Sequence, residues 1–137
     1  MEMVDRGDRW SLAGDDAEVT RVCFDWAVTL TVGPVEPQLS VRVESPFVLA
    51  GLEGAPRQVD PEGEPSDLAP VLWLVRRRLT RLDAFKDGRL DIGFSGGVDL
   101  TVPVSEEFEA WELTDSAGGR IVSLPGGGTT TWSRVDG

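Results

Sequence analysis

The 137-residue chain contains no histidine and a single cysteine, Cys23. Zinc sites of the His/Cys type, Ser-His-Asp triads and Cys-His pairs therefore cannot be assembled within one chain. One thiol cannot close an internal disulfide, which fits a reducing compartment. Long apolar runs are missing as well, since none approaches the roughly 20 residues of a membrane-spanning helix. The first residues, MEMVDRGDRW, are acidic and polar where an export signal needs a basic start and an apolar stretch. A cytoplasmic protein without a membrane partner is the expectation. Positive charge is scarce: 13 Lys and Arg stand against 24 Asp and Glu, a net charge of −11. Nucleic-acid binding needs cations at the phosphates and is disfavoured. Electrostatically steered encounter with a basic partner is favoured, although acidity also serves solubility alone.

Hydrophobic residues make up 40% of the chain, enough for one core in a chain of single-domain length. Residues 1–17 are polar and read as a loose arm. In residues 18–52, EVTRVCFDWAVTLTV alternates strictly. One long strand would place Val22, Phe24, Trp26, Val28, Leu30 and Val32 on a single face. A turn at GPVEP and a second alternating run, QLSVRVES, complete a hairpin, and PFVLAGL adds a short strand. Residues 53–65, rich in proline, glycine and acid, read as a loop. Residues 66–82, SDLAPVLWLVRRRLTRL, space Leu68, Val71, Leu72, Val75, Leu79 and Leu82 as the stripe of an amphipathic helix. Residues 83–132 return to hairpins, with turns at Asp87-Gly88 and Gly96-Gly97. The expected fold is α+β: an antiparallel sheet of about eight strands with one amphipathic helix on a face.

Four features invite a chemical reading. The stretch SLPGGGTTTW suggests a phosphate-binding loop, but no lysine follows Gly128 and no helix fits behind it. It reads better as a turn before a last short strand, with Trp132 covering the core. The acidic stretch SEEFEAWELTD offers Glu106, Glu107, Glu109, Glu112 and Asp115. These are a solvated strand and turn, a protein-binding edge or a catalytic carboxylate pair, in that order of preference, and the calcium-loop spacing is absent. Arg76, Arg77, Arg78 and Arg81 form a basic cluster that reads either as a patch for an acidic partner or RNA or, in preference, as a set absorbed by ion pairs with neighbouring strands and loops. Asp25, inside an apolar run, needs a cationic partner, for which Arg42 on the neighbouring strand is suited.

Three stretches carry a resemblance to a known group: RVCFDWAVTLTV followed by LSVRVESPFVL, then AFKDGRLDIGFSGGVDLTVPVSEEFEAWEL, then GRIVSLPGGGTTTW. Over residues 19–132 the chain resembles a family of small actinobacterial domains of unknown function. The shared elements include Glu44-x-Pro46-Phe47, Asp87-Gly88-x-Leu90, Phe108-Glu109-Ala110-Trp111 and Pro125-Gly126-Gly127 with Trp132. Gly128 and the threonines depart from the usual ending. The resemblance implies an intracellular β-rich domain with no known enzyme activity. Similar endings occur in immunity proteins, which neutralise a co-encoded toxin by binding it.

Function then divides three ways. The first is a non-enzymatic protein-binding domain that presents Glu106–Asp115, with Asp60–Asp67, to a basic toxin-like partner. The second is a homo-oligomeric structural protein that pairs sheet edges into a homodimer. The third is a small-ligand binder or enzyme built on Asp25, Glu44 and Glu109. No catalytic, cofactor-binding or metal-ligating residue is assigned.

Overall fold

Period-two alternation of apolar and polar residues runs through most of the chain, and the backbone follows it. The computed structural model describes residues 3–13, 17–33 and 38–132. Thirteen strands occur among these residues: β1 (Val4–Asp5), β2 (Arg9–Ala13), β3 (Val19–Phe24), β4 (Val28–Val32), β5 (Leu39–Val43), β6 (Phe47–Ala50), β7 (Arg57–Val59), β8 (Leu79–Phe85), β9 (Leu90–Phe94), β10 (Val98–Val102), β11 (Trp111–Asp115), β12 (Arg120–Ser123) and β13 (Thr129–Trp132). A 3-10 helix (Pro65–Leu74) lies between β7 and β8. The strands form two sheets, of seven strands in the order β1-β2-β8-β9-β10-β6-β7 and of six in the order β13-β12-β11-β5-β4-β3. Every pairing within them is antiparallel.

One hydrophobic cluster joins the two sheets. The six-stranded sheet contributes Val28, Leu30 and Val32 of β4, Val41 and Val43 of β5, and Trp111 and Leu113 of β11. Facing them are Leu82 of β8, Leu90, Ile92 and Phe94 of β9, Leu100 of β10, and Phe47 and Leu49 of β6. Full burial of such side chains contributes about 1.5–3 kcal/mol each. No helix among the described residues is long and apolar enough to cross a membrane.

This architecture corrects the expected single sheet of about eight strands carrying an amphipathic helix. The segment expected as a helix over 66–82 is a short 3-10 helix followed by strand β8. Pro70 sits inside that helix and removes a backbone donor. Arg76 then turns the chain with φ +73°. The helical spacing of Leu79 and Leu82 has a different cause. A register shift between Leu79 and Arg81 lets residues three apart face the core from one strand. The expected loose arm also changes, because β2 pairs with β8 and buries Leu12. The segment expected as a loop over 53–65 contains β7, with Val59 buried. The Trp132 side chain, expected over the core, lies outside the described residues.

The sheets are clasped at one end by three turns. Trp111 is 1% exposed, and its Nε1 donates to the carbonyl of Gly88, 2.7 Å away in the β8–β9 turn. Gly128 N donates to Asp87 O at 2.8 Å, and Gly126 N to Ser105 O at 2.7 Å. Ser123 Oγ accepts from the amides of Ala110 at 2.8 Å and Trp111 at 3.1 Å. Gly126, Gly127 and Gly128 all have positive φ, a backbone path that side chains resist. At Gly88, φ is +108° and an added Cβ would stand 3.2 Å from Gly128 O. The glycine run is thus a structural clasp that seats against the Asp87-Gly88 turn.

Trp111→Phe should therefore destabilise the protein by about 2–4 kcal/mol, from lost volume and a buried carbonyl left without its donor. Urea unfolding measures this, and the half-exposed Trp73→Phe should stay within about 0.5 kcal/mol of the parent.

Candidate functional site

The apolar run that alternates from Val22 to Val32 is folded back on itself. β3 and β4 pair as a hairpin with Phe24 opposite Val28, so Asp25, Trp26 and Ala27 form the tip. Asp25 N donates to Ala27 O at 3.0 Å. Ala27 is buried and Trp26 is 78% exposed, with φ +68°. A left-handed backbone at a bulky residue costs roughly 1–2 kcal/mol. An indole this exposed recovers little of that by burial. The tip is tied down by Arg42 of β5, whose Nη1 stands 3.2 Å from both Asp25 carboxylate oxygens and whose Nε stands 3.0 Å from Glu44. Glu44 and then Asp25 hold the Arg42 guanidinium above its usual range, against the opposing pull of desolvation.

Seven large hydrophobic side chains are notably exposed among the described residues: Val4, Phe24, Trp26, Val48, Leu72, Trp73 and Phe108. All but Val4 line four surface clefts that connect through shared residues. A cleft of about 260 Å³ lies among Trp26, Arg42, Glu44, Glu62 and Phe108. Phe108 also borders a cleft of about 480 Å³ with Val48, Gln58, Glu106 and Glu107. Gln58 leads to a third cleft, walled by Asp60, Asp67 and Trp73. Ala69 leads on to a fourth, with Phe24, Leu68 and Leu72. The hydrophobic residues on this face come from the hairpin tip, β6, the 3-10 helix and the turn before β11. The 3-10 helix buries Pro70, Val71 and Leu74 against the body, which leaves Leu72 and Trp73 outward. Arg57 lies over the Trp73 ring at 5.4 Å. On the floor of the second cleft Ser45 is 4% exposed, and its hydroxyl has no hydrogen-bond partner among the described residues.

The structure separates the acidic residues expected to act together. Glu106 and Glu107 stand beside Phe108 on the apolar face, and neither carboxylate makes an ion pair among the described residues. Ser105 Oγ shapes their turn by accepting from the amides of Glu107 and Phe108. Glu109 is exposed. Glu112 accepts from Arg120 Nε at 2.8 Å, and Asp115 caps its own turn by accepting from the amides of Ala117 and Gly119. Those last two carboxylates serve the fold. Asp60 and Asp67 reach the face through the third cleft. Asp25 and Glu44 meet through Arg42, whereas Glu109 makes no hydrogen bond or ion pair with either. Only half of the arginine cluster is used internally: Arg81 pairs with Asp83, Asp91 and Asp99, and Arg77 donates to the carbonyls of Trp73 and Ser95, whereas the Arg76 and Arg78 side chains are exposed and make no ion pair among the described residues. No group of three metal-ligating side chains converges among the described residues.

The family model for a family of unknown function (DUF6188) matches residues 10–133. The chain belongs to this family. The DUF6188 span opens within β2, ahead of the resemblance that starts at residue 19, and closes one residue past β13. It therefore includes every strand from β3 to β13 with most of β2, the clasp and every element of the apolar face, and leaves out the edge strand β1. No curated protein and no solved structure matches the chain.

Aromatic residues on this face had little signal in the sequence. Trp26 sits in an alternating run that assigns it to the core, and no glycine marks the turn. Trp26→Gly should relieve the left-handed strain at the cost of some chain entropy. The expected net effect is a gain of about 0.5–1 kcal/mol in urea unfolding. A loss of similar size would show that the indole contributes to the fold.

Proposed function

We propose that this DUF6188 member is a non-enzymatic binding protein that covers a basic partner with the face around Trp26, Phe108, Glu106 and Glu107. One observation carries the reading: six exposed large hydrophobic side chains share one connected surface with Glu106 and Glu107, whose carboxylates make no ion pair among the described residues. Monomeric proteins seldom leave a large apolar patch uncovered, and aromatic anchors rimmed by charge are the composition of interfaces. An acidic rim speeds encounter with a cationic surface and disfavours acidic competitors. Neutralisation of a toxin-like protein, in the manner of an immunity protein, is the form of this function we favour. The shared C-terminal ending lends it little support, since Trp111 and Gly126–Gly128 form a clasp within the fold. The support comes from the face itself and the net charge of −11.

Co-expression with the products of adjacent genes tests the proposal. A basic protein should co-purify, and its affinity should fall steeply between about 0.05 and 0.5 M salt. Joint Glu106→Gln and Glu107→Gln substitution should weaken the complex by roughly tenfold and flatten its salt dependence, mainly through slower association. Joint Glu112→Gln and Asp115→Asn substitution should leave affinity near that of the parent. Equal loss from both pairs would move the interface off the apolar face.

A further inference from the structure

The cleft beneath the hairpin tip has a composition that specifies part of its occupant. Trp26 and Phe108 supply aromatic surface on its walls, and Glu44, Glu62 and Arg42 supply its polar groups. Arg42 is already shared between Asp25 and Glu44. That triad carries one positive and two negative charges, so it is net acidic before Glu62 is counted. The Glu62 carboxylate makes no ion pair among the described residues, and its own amide is held by Asp60 Oδ1 at 3.0 Å. The charged residues that line the cleft, Arg42, Glu44 and Glu62, carry a net charge of −1 beside two aromatic rings, and Asp25, paired with Arg42, brings the group to −2. Aromatic faces attract cations, guanidinium especially, and a carboxylate alongside adds a charge-assisted hydrogen bond. A neutral or anionic side chain would gain neither. The volume of about 260 Å³ suits one side chain better than a folded element.

We infer that this cleft receives a single arginine or lysine side chain projecting from the partner protein, with Trp26 and Phe108 flanking it and Glu62 as its counter-ion. The inference rests on the binding function proposed above and names the contact that anchors it. Trp26 is then a preformed anchor. The strained turn holds the indole outward before the partner arrives, so little ordering remains for binding. Phe108, which borders the next cleft as well, would lie between the cationic anchor and the apolar contacts that follow.

The probe is N-acetyl-arginine methylamide, titrated against the full chain and followed by the Trp26 indole N–H resonance, which is assigned by its loss in Trp26→Gly. The neutral citrulline analogue is the matched control. The expected result is a saturable shift with the arginine probe, at least fivefold weaker with citrulline, and weakened roughly three- to tenfold by Glu62→Gln. Equal response to both probes, or none to either, would overturn the inference. It would leave the binding function to the salt titration of the co-expressed complex, which does not depend on this cleft. A shift of the same resonance with protein concentration alone, with a dimer in light scattering, would overturn it in favour of a second copy as occupant. In the co-expressed complex Glu62→Gln should cost about tenfold in affinity. An unchanged complex alongside a positive probe titration would overturn the partner's use of the cleft.

Discussion

The hydrogen bond from Trp111 Nε1 to the Gly88 carbonyl crosses from one sheet to the other, and much of the molecule is placed by it. A buried indole needs a partner for its N–H, and the carbonyl it finds belongs to the tight turn at Asp87-Gly88. That turn must stay slim, because the glycine run docks on it through Gly128 N. The same run holds the following loop through Gly126 N and Ser105 O. Ser105 in turn shapes the segment that presents Glu106, Glu107 and Phe108. The clasp and the apolar face are therefore consecutive links in one chain of contacts. A defect at Gly88 would be felt at Phe108.

The opposite side of the face is placed by different means. The hairpin tip has no glycine and no buried anchor of its own beyond Ala27, and it relies on the Asp25–Arg42–Glu44 ion triad. Half-exposed ion pairs of this kind contribute only about 0.2–1 kcal/mol each, which is less than the strain of a left-handed tryptophan. Stability alone would select a smaller residue at position 26. An exposed, strained aromatic held by modest forces is a cost to folding that a binding role would offset.

Where the sequence was legible, a local rule and the tertiary structure agreed. Leu90, Ile92 and Phe94, then Val98, Leu100 and Val102, alternate into β9 and β10, with Gly96-Gly97 at the turn between. The partnership of Asp25 with Arg42 followed from the cost of an unpaired charge. Misreadings arose where a local irregularity imitated a different period. A bulge in β8 gave Leu79 and Leu82 helical spacing. A turn without glycine let two short strands read as one long one. The first strands were hidden for another reason: β2 sets Trp10 and Leu12 against the core in a short polar stretch, and its pairing with β8 is set by residues some seventy positions away. Of the acidic stretch, alternation could not tell which carboxylates the fold would use, because Arg120 and the turn after β11 decide that for Glu112 and Asp115.

The strand order has one more consequence, for how the protein is made. The seven-stranded sheet joins β2 to β8 and β6 to β10, and the six-stranded sheet joins β5 to β11. Each sheet thus needs strands from both the early and the late part of the chain. While a ribosome is still extending it, the nascent polypeptide can close local pieces such as the β3–β4–β5 meander, the β6–β7 hairpin and the β8–β9–β10 meander, but the six-stranded sheet lacks its central strand until β11 emerges. Such distant pairings fold slowly and expose sticky edges meanwhile. The two sheets can close on each other only after β11 has been made, and the hardest moment for this fold comes during synthesis.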